Sequence, residues 1–230
     1  MNTAADFGII LPAAGRGARF GGDKLAASVA GATILEHTLG AFLRRRDVSA
    51  VALVVADPSS APVQRDPRLV VCAGGAHRSE SVRKGLAALA EVGPAFVAVH
   101  DAARPAVSQE LIERVFEAAR REGAAVPGLP VTDTVKEVRA GRAVRTLRRA
   151  DLVAVQTPQA MRRDWLLEAF ARCPVPPDEV TDDVQLLELA GFPVRVVEGE
   201  AGNLKVTRPE DLAALERVLA VRGGADSPAR

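Results

Sequence analysis

The residues best suited to chemistry in this chain fall in residues 7–24, FGIILPAAGRGARFGGDK, where small residues and cations interleave. Gly15 and Gly17 carry no Cβ, so the backbone there can turn freely and bring N–H groups close to a ligand, and Ala13 and Ala14 leave room beside them. Arg16, Arg19 and Lys24 add positive charge against a single acid, Asp23. An oxygen-rich anion is the expected ligand, and a phosphate chain fits best. The pattern is neither of two common phosphate motifs. Gly15-x-Gly17-x-x-Phe20 lacks the third glycine of the dinucleotide fingerprint, and no G-x-x-x-x-G-K-[ST] is present. A glycine turn that merely ends a strand is the plainer reading, and the basic residues weigh against it.

Elsewhere, chemistry-bearing residues are sparse. No Ser, Cys or Thr stands in a nucleophile motif, and the three histidines lack metal-ligand spacing, so no protein-held metal site is expected. His37, within a helical pattern, reads as a surface or packing residue. His77 lies in a second glycine-containing loop within reach of a ligand, and His100, closing a buried strand beside Asp101, is expected to make an internal hydrogen bond. Of 30 basic residues only four are lysines, Lys24, Lys84, Lys136 and Lys205. Where arginine is the default cation, a lysine beside a phosphate loop points to a need for a compact point charge. Lys84 and Lys136 read equally well as solvated surface residues.

Composition narrows the function classes. With 230 residues the chain can bury a full core, and 48% hydrophobic content with 26% charge is that of a globular protein. A net charge of +1 and an aromatic fraction of 3% leave neither a basic surface nor a stacking platform for nucleic acid. Cys72 and Cys173 have no C-x-x-C partner and are expected as reduced thiols. The N-terminal MNTAADF has no h-region, and no apolar run approaches the roughly 20 residues that span a bilayer. No membrane association and a cytoplasmic location are expected.

The elements that must position these residues alternate. Residues 7–11 read as a buried strand ended by Pro12. Thr33-Ile-Leu-Glu36 is a capping box opening a helix with Ile34, Leu35, Leu39 and Phe42 on one face. Residues 50–55 and 68–72 read as strands, 79–89 as a helix, 96–100 as a strand, and Ser108 caps a helix whose apolar face is Leu111, Ile112, Val115, Phe116 and Ala119. Apolar strands alternating with helices predict an α/β fold, a mostly parallel twisted sheet with helices on both faces. Ligands bind outside the carboxyl ends of such strands, where residues 12–24, 74–75 and 101–105 all fall. The rhythm breaks at 131–157. Residues 131–138 and 143–147 are β-prone and polar-interleaved around Ala140-Gly141-Arg142, which predicts a β-hairpin arm with little core of its own. Such an arm needs something to pack on, and a second copy of the chain is the economical partner, so a homodimer is expected. Helices are expected over 164–171, from the Thr181-Asp182-Asp183 cap through Ala190, and from the capping box Thr207-Arg208-Pro209-Glu210 to about Val221, with a strand at 194–197. A single domain over 1–222 and a disordered tail over 223–230 complete the expectation.

Leu11-Pro12-Ala13-Ala14-Gly15-x-Gly17-x-Arg19, then Lys24, resembles the signature loop of nucleotidyltransferases built on a glycosyltransferase-A-like sheet. Later motifs narrow the choice: Gly74-Gly75-x-x-Arg78-x-x-Ser81-Val82-x-x-Gly85-Leu86, His100-Asp101-Ala102-Ala103-Arg104-Pro105, Pro130-Val131-x-Asp133-Thr134-Val135-Lys136, Thr157-Pro158-Gln159, Thr181-Asp182-Asp183 and Asn203-x-Lys205-Val206-Thr207. In this order, over about residues 9–219, they resemble the 2-C-methyl-D-erythritol 4-phosphate cytidylyltransferases of the non-mevalonate isoprenoid pathway.

That resemblance implies transfer of a cytidylyl group from CTP to methylerythritol phosphate, with release of pyrophosphate and with Mg²⁺ bound mainly through the CTP phosphates. The nucleophile is a substrate phosphate oxygen, which agrees with the lack of a protein nucleophile. Residue by residue it implies Arg19, Lys24, Arg149 and Lys205 as catalytic, and Pro12, Ala13, Ala14, Gly15, Gly17, Gly75, Arg78, Ser81, Asp101 and Ala102 as nucleotide-binding. It implies Arg104, Thr134, Thr157, Arg149 and Lys205 as acceptor-binding, with Arg149 given by the neighbouring subunit. An acid usually precedes that arginine in the family. Here Arg148 stands in its place, so Arg148 and Arg149 are both candidates. Asp23 stands where proline is common. The alternatives are a cytidylyltransferase for another polyol phosphate such as ribitol 5-phosphate, a molybdopterin cytidylyl- or guanylyltransferase, a catalytically dead CTP-binding regulator, and a nicotinamide-dependent oxidoreductase with Asp57 as its ribose acid.

Overall fold

In the computed structural model, which describes residues 5–15, 20–61 and 66–225, β1 (Phe7–Pro12) is fully buried from Phe7 to Leu11 at the centre of an eight-stranded sheet. Its side chains alternate between two layers. Ile9 and Leu11 pack with Leu35, Leu39 and Phe42 of α1 (Ile34–Leu43) and with Leu111, Ile112, Val115 and Phe116 of α3 (Gln109–Glu122). Ile10 faces the other way, onto Val82 and Leu86 of α2 (Arg78–Ala88), Leu166 of α4 (Arg163–Arg172) and Leu187 of α5 (Asp183–Leu189). Period-two alternation with apolar residues on both faces requires helices on both faces. The expected layers are therefore present.

Around β1 run β4 (Val48–Val55), β5 (Leu69–Ala73) and β6 (Phe96–Val99), all parallel. The short β2 (Ser28–Val29) and β3 (Ala32–Thr33) pair with each other before α1. Beyond β6 the sheet contains strands with little sequence signal. β7 (Ala124–Pro130), AAVPGLP, holds two prolines and a glycine, and β11 (Gln159–Arg162) has four residues. Burial from Ala124 to Gly128 overrides the weak strand propensity. β11 runs antiparallel between β6 and β7, β10 (Val153–Val155) continues it along β7, and β12 (Arg195–Glu198) pairs with β7 on its other side in parallel. The sheet is mixed but mostly parallel. Because β11 is antiparallel, its first residue, Gln159, lies opposite Val99, and Thr157 reaches the carboxyl end of β6.

The arm is a two-stranded hairpin of β8 (Lys136–Arg139) and β9 (Arg142–Thr146), narrower than its expected span, with no strand at 131–135. Ala140 and Gly141 both have positive φ, 47° and 74°, as a type I′ turn requires. Val138 and Val144 on it are 58% and 53% exposed. The capping box at Thr33 and Glu36 forms as expected. At the start of α6 (Asp211–Ala225) it is Asp211, not Glu210, that accepts from the Thr207 and Arg208 N–H groups, at 2.7 and 2.9 Å. α6 runs to Ala225, so residues 223–225, expected in a disordered tail, are helical, and 226–230 lie outside the described residues.

Candidate active site

Four chain segments meet at the carboxyl ends of the parallel strands, around a cavity of about 430 Å³. The first segment leaves β1 at Pro12. The Ala13 N–H donates to the Val54 carbonyl at 2.7 Å, which holds the loop on the sheet while Pro12, Ala13, Ala14 and Gly15 line the cavity. Gly17 and Arg19 lie outside the described residues. Beyond the loop the described chain passes through a single 3₁₀ turn, Lys24–Ala26, whose cap is Asp23, accepting from the Leu25 N–H at 3.0 Å. Asp23, which stands where the resemblance expects proline, thus starts the turn that presents Lys24. Lys24 Nζ donates to the Val206 carbonyl at 3.3 Å, 182 residues away.

The second segment, residues 74–77, follows β5 and is held by side chains of α2. Gly74 N–H donates to Val55 O at 2.7 Å, Gly75 N–H to Ser81 Oγ at 3.0 Å, and the Ala76 and His77 N–H groups to Glu80 Oε2 at 2.8 and 3.4 Å. Lys84 Nζ donates to Gly74 O at 2.7 Å. Every N–H of the loop is therefore engaged within the protein, and the Gly74 and His77 carbonyls accept in turn from Lys84 and Ser81. A Cβ on Gly75 would lie 2.4 Å from Glu80 Cβ, so only glycine lets the loop close on the helix. Ser81 was expected to read a base, and its Oγ is both an acceptor for Gly75 and a donor to His77 O at 3.2 Å. Glu80 and Lys84 were not legible as site residues, because their role is to hold backbone at short range.

Asp101 is the hub of the third segment. Lys205 Nζ lies 2.9 Å from Oδ2, Arg104 Nε 3.4 Å from Oδ2, and Arg78 Nη2 3.8 Å from Oδ1. Burial alone would raise its pKa, but the cations, Lys205 first and then Arg78, outweigh burial and pull it down to about 2. Arg78 is itself anchored by two hydrogen bonds, at 3.0 and 2.7 Å, to the fully buried Asp183. Gln159 Oε1 in turn accepts from the Asp183 and Val184 N–H groups. Arg104 donates to the Asn203 carbonyl at 2.8 Å, tying the fourth segment, which bears Lys205 between β12 and α6, to the third.

Beneath Asp101 lies the fully buried His100, 0% exposed. Its Nε2 is 3.1 Å from the Arg104 carbonyl, which can only accept, so Nε2 carries the proton. Nδ1 of the neutral ring then accepts from the Thr157 hydroxyl at 3.0 Å, and Thr157 Oγ1 accepts from the Asp101 N–H at 3.1 Å. Burial lowers the His100 pKa to about 4. The internal hydrogen bond expected of His100 is present, as a chain that fixes the Asp101 backbone. Thr157, expected at the acceptor, is 5% exposed and supports this chain.

Of the expected site residues, Pro12, Ala13, Ala14, Gly15, Lys24, Gly75, Arg78, Ser81, Asp101, Ala102 and Lys205 line one cavity. Arg104 adjoins it through Asp101. Thr134 and Arg149 do not line it. Both are exposed, Thr134 just before the hairpin and Arg149 at its foot in the 3₁₀ turn Arg149–Asp151, donating to the Thr132 carbonyl. Arg148 is 81% exposed beside Asp151. Asp57, the ribose acid of the oxidoreductase reading, instead caps the turn Pro58–Ser60 through the Ser59 N–H at 2.9 Å and is not part of the cavity.

The model of the family IspD, 2-C-methyl-D-erythritol 4-phosphate cytidylyltransferase, matches residues 7–221. A 2-C-methyl-D-erythritol 4-phosphate cytidylyltransferase from Cereibacter sphaeroides is 41% identical over 97% of this chain and 100% of its own length. One from Dehalococcoides mccartyi is 38% identical over 92% and 95%. Among solved structures, the enzyme from Thermus thermophilus is 39% identical, with a TM-score of 0.74 over 92% of this chain and 98% of that one. The Francisella tularensis enzyme is 31% identical with a TM-score of 0.82 over 93% and 99%. With the 12–15 loop, the closed 74–77 loop and lysines drawn together from the two ends of the chain around one cavity, these matches establish that the chain belongs to the 2-C-methyl-D-erythritol 4-phosphate cytidylyltransferase family.

Proposed function

We propose that the protein joins CTP and 2-C-methyl-D-erythritol 4-phosphate to give 4-diphosphocytidyl-2-C-methyl-D-erythritol and pyrophosphate, in the cytoplasm, as a single nucleotidyltransferase domain. The observation that carries the reading is the convergence of Lys24 and Lys205 on the cavity lined by Pro12–Gly15 and the 74–77 loop. An oxygen of the acceptor phosphate attacks the α-phosphorus in line. The bond from that phosphorus to the bridging oxygen breaks, and the electron pair leaves on pyrophosphate. No protein base is required, because the attacking oxygen is already ionised near neutral pH.

In this reading Pro12, Ala13, Ala14, Gly15 and Gly17 cradle the triphosphate, and Arg19, Lys24 and Lys205 offset charge at the α-phosphorus and leaving group. Gly75 and Ser81 read the cytosine, Ser81 also holding the Gly75 N–H, and Arg78 binds the nucleotide beside them. A loop whose N–H groups are all engaged presents acceptors, which suits the exocyclic amine of cytosine and leaves the O4 of uracil facing another acceptor. Asp101 and Ala102 hold the ribose side. Arg104, Thr134, Thr157 and Lys205 serve the acceptor, Thr157 through the His100 chain. The arm pairs with a second copy to form a homodimer in which Arg149 of one protomer reaches the cavity of the other. Its exposed valines and exposed Arg149 support this.

Asp101 is the one carboxylate among the cavity residues, and it faces three cations. The described residues hold no group of three or more His, Cys, Asp or Glu placed for a metal. This donor set fits Mg²⁺ carried on the CTP phosphates, where it would neutralise charge on the triphosphate.

Pyrophosphate release with CTP, Mg²⁺ and methylerythritol phosphate, beside ribitol 5-phosphate and a no-acceptor control, tests the reading. Release is expected with methylerythritol phosphate alone, and Lys205→Ala is expected to lower kcat by about 10²-fold or more. Release with ribitol 5-phosphate alone would overturn the acceptor, and silence with both would overturn the reaction.

A further inference from the structure

At the opposite end of the sheet lies a second cavity, of about 600 Å³, that shares no lining residue with the first. Three pieces build it: Pro94, Ala95 and Phe96 at the start of β6, Arg120 to Gly123 at the end of α3, and Arg162 to Trp165 where β11 passes into α4. Four arginines and two acids line it, and most of these charges are already matched. Arg120 is held by Asp6 at 3.0 Å and Asp47 at 3.2 Å, Arg162 by Asp164 at 2.5 Å, and Glu122 faces Arg195 at 3.6 Å. Arg121 and Arg163 make no ion pair among the described residues. Arg163 Nε is buried without an acceptor, and a buried donor left unpaired is costly in a native fold.

Beside these cations stands the chain's one tryptophan. Trp165 stacks on Phe192 at 4.7 Å with an interplanar angle of 12°, and Arg162 lies over its ring at 5.4 Å. Gly123, at φ +90°, closes α3 against that ring. A Cβ there would come within 2.2 Å of it, so the wall is formed by an indole laid on bare backbone. The cavity thus joins two unmatched guanidinium groups to an aromatic surface.

We propose that this cavity is a second binding site, for an organic phosphate whose phosphoryl oxygens meet Arg121 and Arg163 and whose ring or apolar part lies against Trp165. Guanidinium groups bind phosphate oxygens through forked N–H pairs, which suits two arginines without carboxylate partners on one cavity wall. The site does not depend on the cytidylyl reading, since its residues and its probe are separate.

With one Trp and no Tyr in the chain, fluorescence excited at the indole reports on this cavity directly. The probe is phenyl phosphate, titrated at low ionic strength into the full-length protein, with inorganic phosphate and phenol as comparisons. A saturable change with phenyl phosphate is expected, weaker with inorganic phosphate and absent with phenol. Arg121→Ser, at an exposed helix end, is expected to weaken binding about tenfold with pyrophosphate release from CTP unchanged, and Arg121→Ser with Arg163→Gln to abolish it. No saturable change, a change that survives both substitutions, or one lost instead in Lys24→Ala with Lys205→Ala would overturn the proposal.

Discussion

Mild acid should loosen the protein through one side chain. His100 is fully buried, and burial lowers its pKa from 6.5 to about 4. Between those values the unfolded chain holds a proton on this ring that the native state refuses, so stability rises with pH across the window and falls as pH drops through it. The full drop corresponds to about 3 kcal/mol, of which about 2 kcal/mol should be lost between about pH 7.5 and about pH 5. The window of Asp101 is separate. Its folded-state pKa is lowered from 3.8 to about 2, so the stability it contributes is present above 3.8 and is lost only as pH falls from there toward 2. Urea unfolding at the two pH values, at one protein concentration, gives the loss directly, and His100→Asn removes the titrating ring while other carboxylates remain to be subtracted. The variant should be less stable at neutral pH and nearly flat across the window. A wild-type loss below about 0.5 kcal/mol, or a variant with an undiminished slope, would refute the buried neutral imidazole and the hydrogen-bond chain built on it.

Two further outcomes follow from the site and the arm. Gly75→Ala sets a Cβ 2.4 Å from Glu80 Cβ, so the 74–77 loop must shift, and KM for CTP should rise about tenfold or more with a smaller change in Tm, measured by initial rates and thermal unfolding. An unchanged KM would remove the loop from nucleotide recognition. Val138→Asp with Val144→Asp should convert the proposed dimer to monomer in sedimentation and lower activity, because both valines are more than half exposed on a hairpin with no core of its own. A stable, active dimer would mean that the arm is not the interface.

The amino-acid sequence by itself determined the elements with local codes. The Thr33–Glu36 box, the Ser108 cap, the apolar faces of α1 and α3 and the Ala140-Gly141 turn are specified within a few residues, because caps, turns and helical periodicity depend on short-range geometry. The ordered motifs determined the family and which loops gather at the strand ends. Tertiary structure alone decided the rest. β7, with its prolines and glycine, and the four-residue β11 are strands because neighbouring strands on both sides pair with them, a stabilisation no local pattern carries. The meeting of Lys24 with Val206, of Lys205 with Asp101 and of Arg78 with Asp183 spans a hundred residues or more, and it arises only once sheet order has brought the four segments together. So does the state of Asp101. A carboxylate beside an alanine pair carries no sign in the sequence of the three cations that hold it ionised, because its pKa depends on distances that only the folded chain defines.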